Sequence, residues 1–122
     1  MKNKIFLSIE TSLNRIFLTL FCKGELFSIE KNVKNSIEID LNFLLKSILE
    51  ENKVRFNDLD FVIVSLGPGS YTGARVGIAA AKAISLSIHK PLLGFSNFET
   101  LFAQACLKKY INTRHTVGII IK

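Results

Sequence analysis

The residues of this chain best placed to do chemistry lie in two short loops. The first is Leu66-Gly67-Pro68-Gly69-Ser70-Tyr71-Thr72-Gly73, which stops an apolar run and opens an alanine-rich one. The second is Glu10-Thr11-Ser12, at the end of another apolar run. Glycines let a backbone fold so that successive N–H groups point into one concavity, where they hold an anion with the help of a helix N-terminus. Thr11, Ser12, Gly67, Gly69, Ser70, Thr72 and Gly73 are therefore the candidates for contact with a phosphate. Thr72 is also placed to cap the first turn of the following helix. The spacing of Gly67, Gly69 and Gly73 is G-x-G-x-x-x-G, one residue longer than a dinucleotide fingerprint, and no Gly-Lys-Ser/Thr closes it as in a Walker A loop. No ribose-binding carboxylate follows about 20 residues on, where Lys90-Pro91-Leu92-Leu93 stands. Two readings stand on the loop alone: phosphate contact, or glycines that only permit a sharp turn and a close helix.

The elements that must position these loops follow from the hydrophobic pattern. Phe61-Val62-Ile63-Val64 is short, β-branched and apolar, as in a strand buried on both faces. A helix is expected from about Gly73 to His89. Upstream, three strands are expected: Ile5 to Ile9, Arg15 to Cys22 and Leu26 to Lys31, with a tight turn at Lys23-Gly24-Glu25. Leu41, Leu44, Leu45, Ile48 and Leu49 recur at helical spacing and predict an amphipathic helix from Ile37 to about Asn52, with Asn35 and Glu38 as its capping pair. Lys53 to Asp60 reads as a charged loop anchored by Phe56 and Leu59. A strand at Pro91 to Phe95, a helix from Ser96 or Asn97 to about Tyr110 and a strand at Val117 to Ile121 complete the pattern. The expected order is βββαβαβα with a terminal strand, a mixed sheet covered by helices in a single α/β domain over residues 1–122.

The helix after the glycine loop carries a second feature. Gly73, Gly77, Ala81 and Ser85 recur every fourth residue, a smooth ridge that another helix could approach closely. Together with Leu41, Leu45 and Ile48 of the amphipathic helix, this ridge is the expected partner interface, unless the sheet occupies those leucines.

Composition bounds the function. With 122 residues, 48% apolar and 21% charged, the chain has the make-up of an ordinary globular domain. No run is long enough to span a bilayer and no signal pattern is present, so a cytoplasmic protein without membrane contact is expected. Cys22 and Cys106 fit no ligand or redox spacing, and His89 and His115 stand apart from any nucleophile, so no metal or catalytic cluster is expected. The net charge of +6 is uneven: residues 1–66 balance nine Lys/Arg with nine Asp/Glu, whereas residues 67–122 set seven against Glu99 alone. That basic half suits either an anionic partner such as RNA or simple solvation. No aromatic stacking motif accompanies it.

The motifs resemble those of one family. Lys4 to Ser12, KIFLSIETS, is similar to the ILAIDTS opening of the TsaB (YeaZ) family, and Gly67 to Gly77, GPGSYTGARVG, to its GPGSFTGLRIG signature. Ala81-Lys82-Ala83 and Lys90 to Ser96 continue the match, which covers nearly the whole chain. The resemblance implies the first domain of an actin-like ATPase fold. It also implies a non-catalytic role beside a TsaD-like enzyme and a TsaE-like ATPase, in forming N6-threonylcarbamoyladenosine next to the tRNA anticodon. It places the partner contact on the helices of this domain. Glu10 departs from the family's usual Asp toward the TsaD branch. However, TsaD-like chains carry two metal-binding histidines where this chain has Asn97 and Leu101, so a metal-dependent transferase is not expected. The family's second domain has no counterpart in these 122 residues, so the expectation is that this chain alone requires no cofactor and makes at most a weak ATP or ADP contact. A peptidase, the older glycoprotease-like reading, lacks a nucleophile–His pair. A small nucleotide-binding enzyme and a purely structural homodimer remain the alternatives.

Overall fold

The computed structural model describes residues 3–13, 15–67 and 71–96, with only the backbone of Tyr71. The helix expected at 97–110, the strand at 117–121, Gly69, Ser70, Asn97, Leu101, Cys106 and His115 lie outside the described residues.

The elements run β1 (Phe6–Glu10), β2 (Arg15–Cys22), β3 (Glu25–Asn32), α1 (Ile37–Glu51), a short 3-10 turn (Phe56–Asp58), β4 (Phe61–Ser65), α2 (Tyr71–Ile88) and β5 (Leu92–Phe95). They form one five-stranded mixed sheet in the order β3-β2-β1-β4-β5. The strands β1, β2 and β3 are an antiparallel meander, while β4 pairs parallel with both β1 and β5. The expected α/β class and mixed sheet are thus the observed ones, and the expected order of elements along the chain is observed as far as β5.

Local chemistry accounts for each boundary. Cys22 pairs with Glu25, leaving a two-residue turn in which Lys23 and Gly24 both have positive φ (54° and 77°). That is the turn whose twist matches a hairpin. At α1 the cap is Ser36, not the expected Asn35: the Ser36 hydroxyl accepts the Ile39 N–H at 3.1 Å. Asp40, rather than Glu38, reaches back, accepting the N–H groups of Lys34 (2.7 Å) and Asn35 (3.1 Å). Those two bonds hold its carboxyl below the usual carboxylate range. The helix α2 begins at Tyr71, so Thr72 sits inside its first turn and is not the cap. His89 closes α2 in the left-handed conformation (φ 57°), and the Lys90 N–H returns to the Ser85 carbonyl at 3.1 Å.

Alternation along the strands gives the sheet two different faces. Leu7, Ile9, Leu18, Leu20, Val62 and Val64 lie on the face covered by both helices. Leu41, Leu44, Leu45, Ile48 and Leu49 of α1 and Ala81, Ile84 and Ile88 of α2 meet them there. The opposite face carries Phe6, Phe21, Ile63 and Phe95. On it Phe6 stacks against Phe21 and Phe61, with ring centroids 5.1 and 4.8 Å apart. No helix among the described residues is long and apolar enough to cross a membrane.

Candidate functional site

The parallel pairing of β1 with β4 sets their C-terminal ends side by side, with β5 next to β4. Ligands of open α/β sheets bind outside such ends. Here that edge carries Glu10 at the end of β1 with Thr11 and Ser12 after it, Leu66 and Gly67 after β4, and the start of α2. The sheet therefore brings the two loops singled out in the sequence to one place. Of the phosphate candidates, Thr11, Ser12, Gly67, Thr72 and Gly73 are described; Gly69 and Ser70 are not.

Polar groups at this edge are buried and bonded to one another. Glu10 is buried, and its Oε1 accepts both the Ser12 N–H (2.8 Å) and the Ser12 hydroxyl (2.5 Å). The Thr11 hydroxyl donates to the Gly73 carbonyl at 2.5 Å, tying β1 to the first turn of α2 across 62 residues of sequence. Gly67 has φ 96°, open to glycine and strained for other residues, and its N–H donates to the Ser65 hydroxyl at 3.3 Å. As arranged, the Thr11 and Ser12 hydroxyls face protein acceptors, and neither is turned outward to a phosphate. Only Thr72 of the described candidates is exposed.

The small-residue ridge is taken up by the same contact. A Cβ added at Gly73 would lie 2.3 Å from the Thr11 carbonyl oxygen, and one at Gly77 would lie 2.4 Å from Thr11 Oγ1. Ala81 is fully buried, and the Ser85 hydroxyl donates to the Lys90 carbonyl. The glycines of the ridge thus face Thr11 and Ile9 at the end of β1. Leu41, Leu45 and Ile48 are each at most 4% exposed and belong to the core. Gly73, Gly77, Ala81, Leu41, Leu45 and Ile48 are therefore packed within this chain, while Ser85 is half-buried: a smooth ridge serves helix-on-sheet contact as well as helix-on-helix contact.

What sequence reasoning missed is the outer face of the helices. A groove between α1 and α2 is lined by Glu38, Leu41, Asn42, Arg75, Val76, Ala79 and Ala80. Further along α2, Lys82, Ala83 and Leu86 are exposed as well, Leu86 at 75%. The available signal was the remainder of the helical pattern: Arg75, Ala79, Lys82 and Leu86 recur at i, i+4, i+7 and i+11, opposite the glycines. Among the described residues no group of three or more His, Cys, Asp or Glu is placed to hold a metal.

Comparison with known proteins gives this geometry its relatives. The family profile described as "TsaD: tRNA N6-adenosine threonylcarbamoyltransferase" matches residues 33–118. The "tRNA threonylcarbamoyladenosine biosynthesis protein TsaB" of Buchnera aphidicola subsp. Schizaphis graminum is 32% identical over 97% of this chain and 56% of its own length. The tRNA N6-adenosine threonylcarbamoyltransferase of Dictyoglomus turgidum is 42% identical, but over 48% of this chain and 18% of its own. The solved structure of YeaZ from Pseudomonas aeruginosa superposes with a TM-score of 0.77 at 22% identity, covering 84% of this chain and 48% of that one. The chain spans about half the length of the curated TsaB relatives it matches. It has the fold of the solved YeaZ structure, and by sequence it belongs to the TsaD/TsaB family as a homologue of TsaB (YeaZ).

Proposed function

We propose that this chain acts in tRNA N6-threonylcarbamoyladenosine formation as a non-catalytic partner of a TsaD-like enzyme. The docking surface is the outer face of α1 and α2, and a TsaE-like ATPase and the tRNA join through the assembly. The observation that carries the reading is the pairing of that face with whole-chain similarity to a TsaB protein. Ala79 and Ala80 keep the groove floor low, so a partner helix can lie close, while Leu86 offers an exposed apolar knob further along the same helix. Glu38 on α1 and Arg75 on α2 put opposite charges on the two walls, which favours one orientation of the incoming helix. Asn97 and Leu101 supply no metal-ligand chemistry at the positions where the enzyme branch carries histidines.

The competing reading is a nucleotide-binding enzyme, which requires Thr11 to release the Gly73 carbonyl and Ser12 to release Glu10. Calorimetric titration with ATP and ADP separates the two, because the partner reading expects at most weak binding by this chain alone. The decisive variant is Ala79→Arg, which fills the groove without touching the core. It is expected to abolish capture of the TsaD-like protein of the same organism while leaving circular dichroism and melting unchanged. Undiminished capture by the folded variant removes this face from the interface.

A further inference from the structure

The end of the sheet opposite the glycine loop gathers the left-handed turns of the chain. The strands β1, β4 and β5 begin there, and β2, α1 and α2 end there. Ile5 and Asp60 tie the starts of β1 and β4 together: the Ile5 N–H donates to Asp60 Oδ2 at 2.8 Å, and the Asp60 N–H to the Ile5 carbonyl at 2.7 Å. Among the described residues only three other than glycine have positive φ, Lys23 (54°), Lys53 (56°) and His89 (57°). All three stand at this pole: Lys23 opens the β2–β3 turn, Lys53 follows α1 and His89 follows α2. Such positions favour glycine, which has no Cβ to clash. Here they carry basic side chains instead. The α1 and α2 dipoles favour cations at Lys53 and His89, but no helix ends at Lys23. Lys4, Arg55 and Lys90 join them, and all six residues are exposed.

The nearby carboxylates leave this row basic. Asp60 is bonded to the Ile5 amide, and Asp58 Oδ2 accepts the Arg55 N–H at 2.9 Å. The Arg55 guanidinium meets Asp58 Oδ1 only at 3.5 Å, and its side chain stays 83% exposed. Glu50 and Glu51 lie in the last turn of α1, where helical side chains lean toward the helix N-terminus and so away from this pole. Glu25 begins β3, at the outer end of the row.

We infer that this pole contacts the phosphate backbone of a folded RNA. The row runs from the β2–β3 turn past β1 and β4 to β5, three strand spacings or about 14 Å, which suits a run of phosphates and not a single small anion. None of the described turns at this pole exposes a large apolar side chain. It therefore offers neither an anchor for a membrane nor a ring to stack on an unpaired base. That leaves the phosphates of a paired stem, which position a protein without reading sequence. That the RNA is tRNA rests on the function proposed above; the contact itself rests on this pole.

The test is fluorescence anisotropy of labelled tRNA with the full chain and no partner protein, over a salt series, with circular dichroism and melting to confirm that each variant is folded. The wild-type chain is expected to bind at low salt and to weaken as salt rises. Lys23→Gly combined with Lys53→Gly removes two charges where glycine adopts the backbone freely. It should weaken binding about tenfold and reduce the slope of log affinity against log salt by about 2. Lys23→Arg with Lys53→Arg keeps the charges and should bind as wild type. Lys31→Gln with Lys34→Gln removes the same charge at the opposite end of the sheet and should change affinity less than about twofold, the effect of net charge alone. A wild-type chain that binds no tRNA at low salt overturns the inference. So does an equal loss in the two charge-removing pairs, no loss in the glycine pair, or binding to phosphatidylglycerol vesicles in place of tRNA. The TsaD-like protein takes no part in this experiment, so failed capture alongside intact tRNA binding refutes only the docking face.

Discussion

Gly77 offers the sharpest test of how α2 is seated. A methyl group there would come 2.4 Å from Thr11 Oγ1, while Ile9 Cγ2 and Thr11 Cβ would stand at an ordinary 3.5 Å. The single obstacle is therefore one hydroxyl, and that hydroxyl is donating to the Gly73 carbonyl. Helix propensity favours alanine over glycine by about 1 kcal/mol. Against it, overpacking a tight contact costs about 1–3 kcal/mol, and turning the Thr11 hydroxyl away forfeits about 0.5–1.5 kcal/mol more. Gly77→Ala should therefore destabilise by about 1–3 kcal/mol, lowering the melting temperature by about 4 °C per kcal/mol in a chain of this size. In a Thr11→Ala background the obstacle is gone and the propensity gain remains. The cost of Gly77→Ala should then disappear, a coupling of about 1–2 kcal/mol in a double-mutant cycle read by urea denaturation. Gly73→Ala is the control, because its methyl group meets the Thr11 backbone carbonyl, which Thr11→Ala leaves in place. Its cost should persist in both backgrounds. A neutral Gly77→Ala in the wild-type chain, or a cost that Thr11→Ala does not relieve, refutes this account of the helix–strand contact.

Two further outcomes follow from the titratable groups. The Asp40 carboxyl is depressed by the Lys34 and Asn35 amides, so the folded state holds it ionised more firmly than the unfolded chain does. Its contribution is present above the unfolded-state pKa of about 4 and is lost as pH falls through the lower folded-state value. The stability gap between wild type and Asp40→Asn should accordingly shrink between pH 7 and pH 3; a gap independent of pH contradicts the assignment. Burial pushes the Cys22 thiol up. Peptide mapping after iodoacetamide treatment should find Cys22 alkylated slowly in the native chain and rapidly in urea, and fast native labelling would show the site to be open.

The fold was legible because its signals are local and redundant. Five leucines and isoleucines at helical spacing define α1, and all five are buried. The Lys23-Gly24 pair marks the hairpin, and the β-branched run at Phe61–Ser65 marks the strand shared by both parallel pairings. Errors arose where two neighbouring residues have similar chemistry, as with Asn35 and Ser36 at the cap of α1. The site was legible as a place but not as an arrangement. Glycine spacing locates the meeting of α2 with β1, yet the spacing alone does not say whether a ridge faces a sheet or a partner. That distinction depends on Thr11, 62 residues away from Gly73, and only the parallel pairing of β1 with β4 brings it within bonding distance. Glu10 was read as a marker between family branches, whereas in the structure it is the acceptor that holds Ser12 inward.

The proposed role turns on the outer face of α1 and α2, and calorimetric titration of the TsaD-like protein of the same organism with this chain tests it most directly. The account predicts saturable one-to-one binding by the wild-type chain. It predicts binding at least about a hundredfold weaker for Ala79→Arg, the upper range of a single overpacked contact. Gly77→Ala paired with Thr11→Ala, a change confined to the inner face, should bind as wild type. Equal binding by Ala79→Arg, or no binding by the wild-type chain, contradicts the proposal that this face docks a catalytic partner.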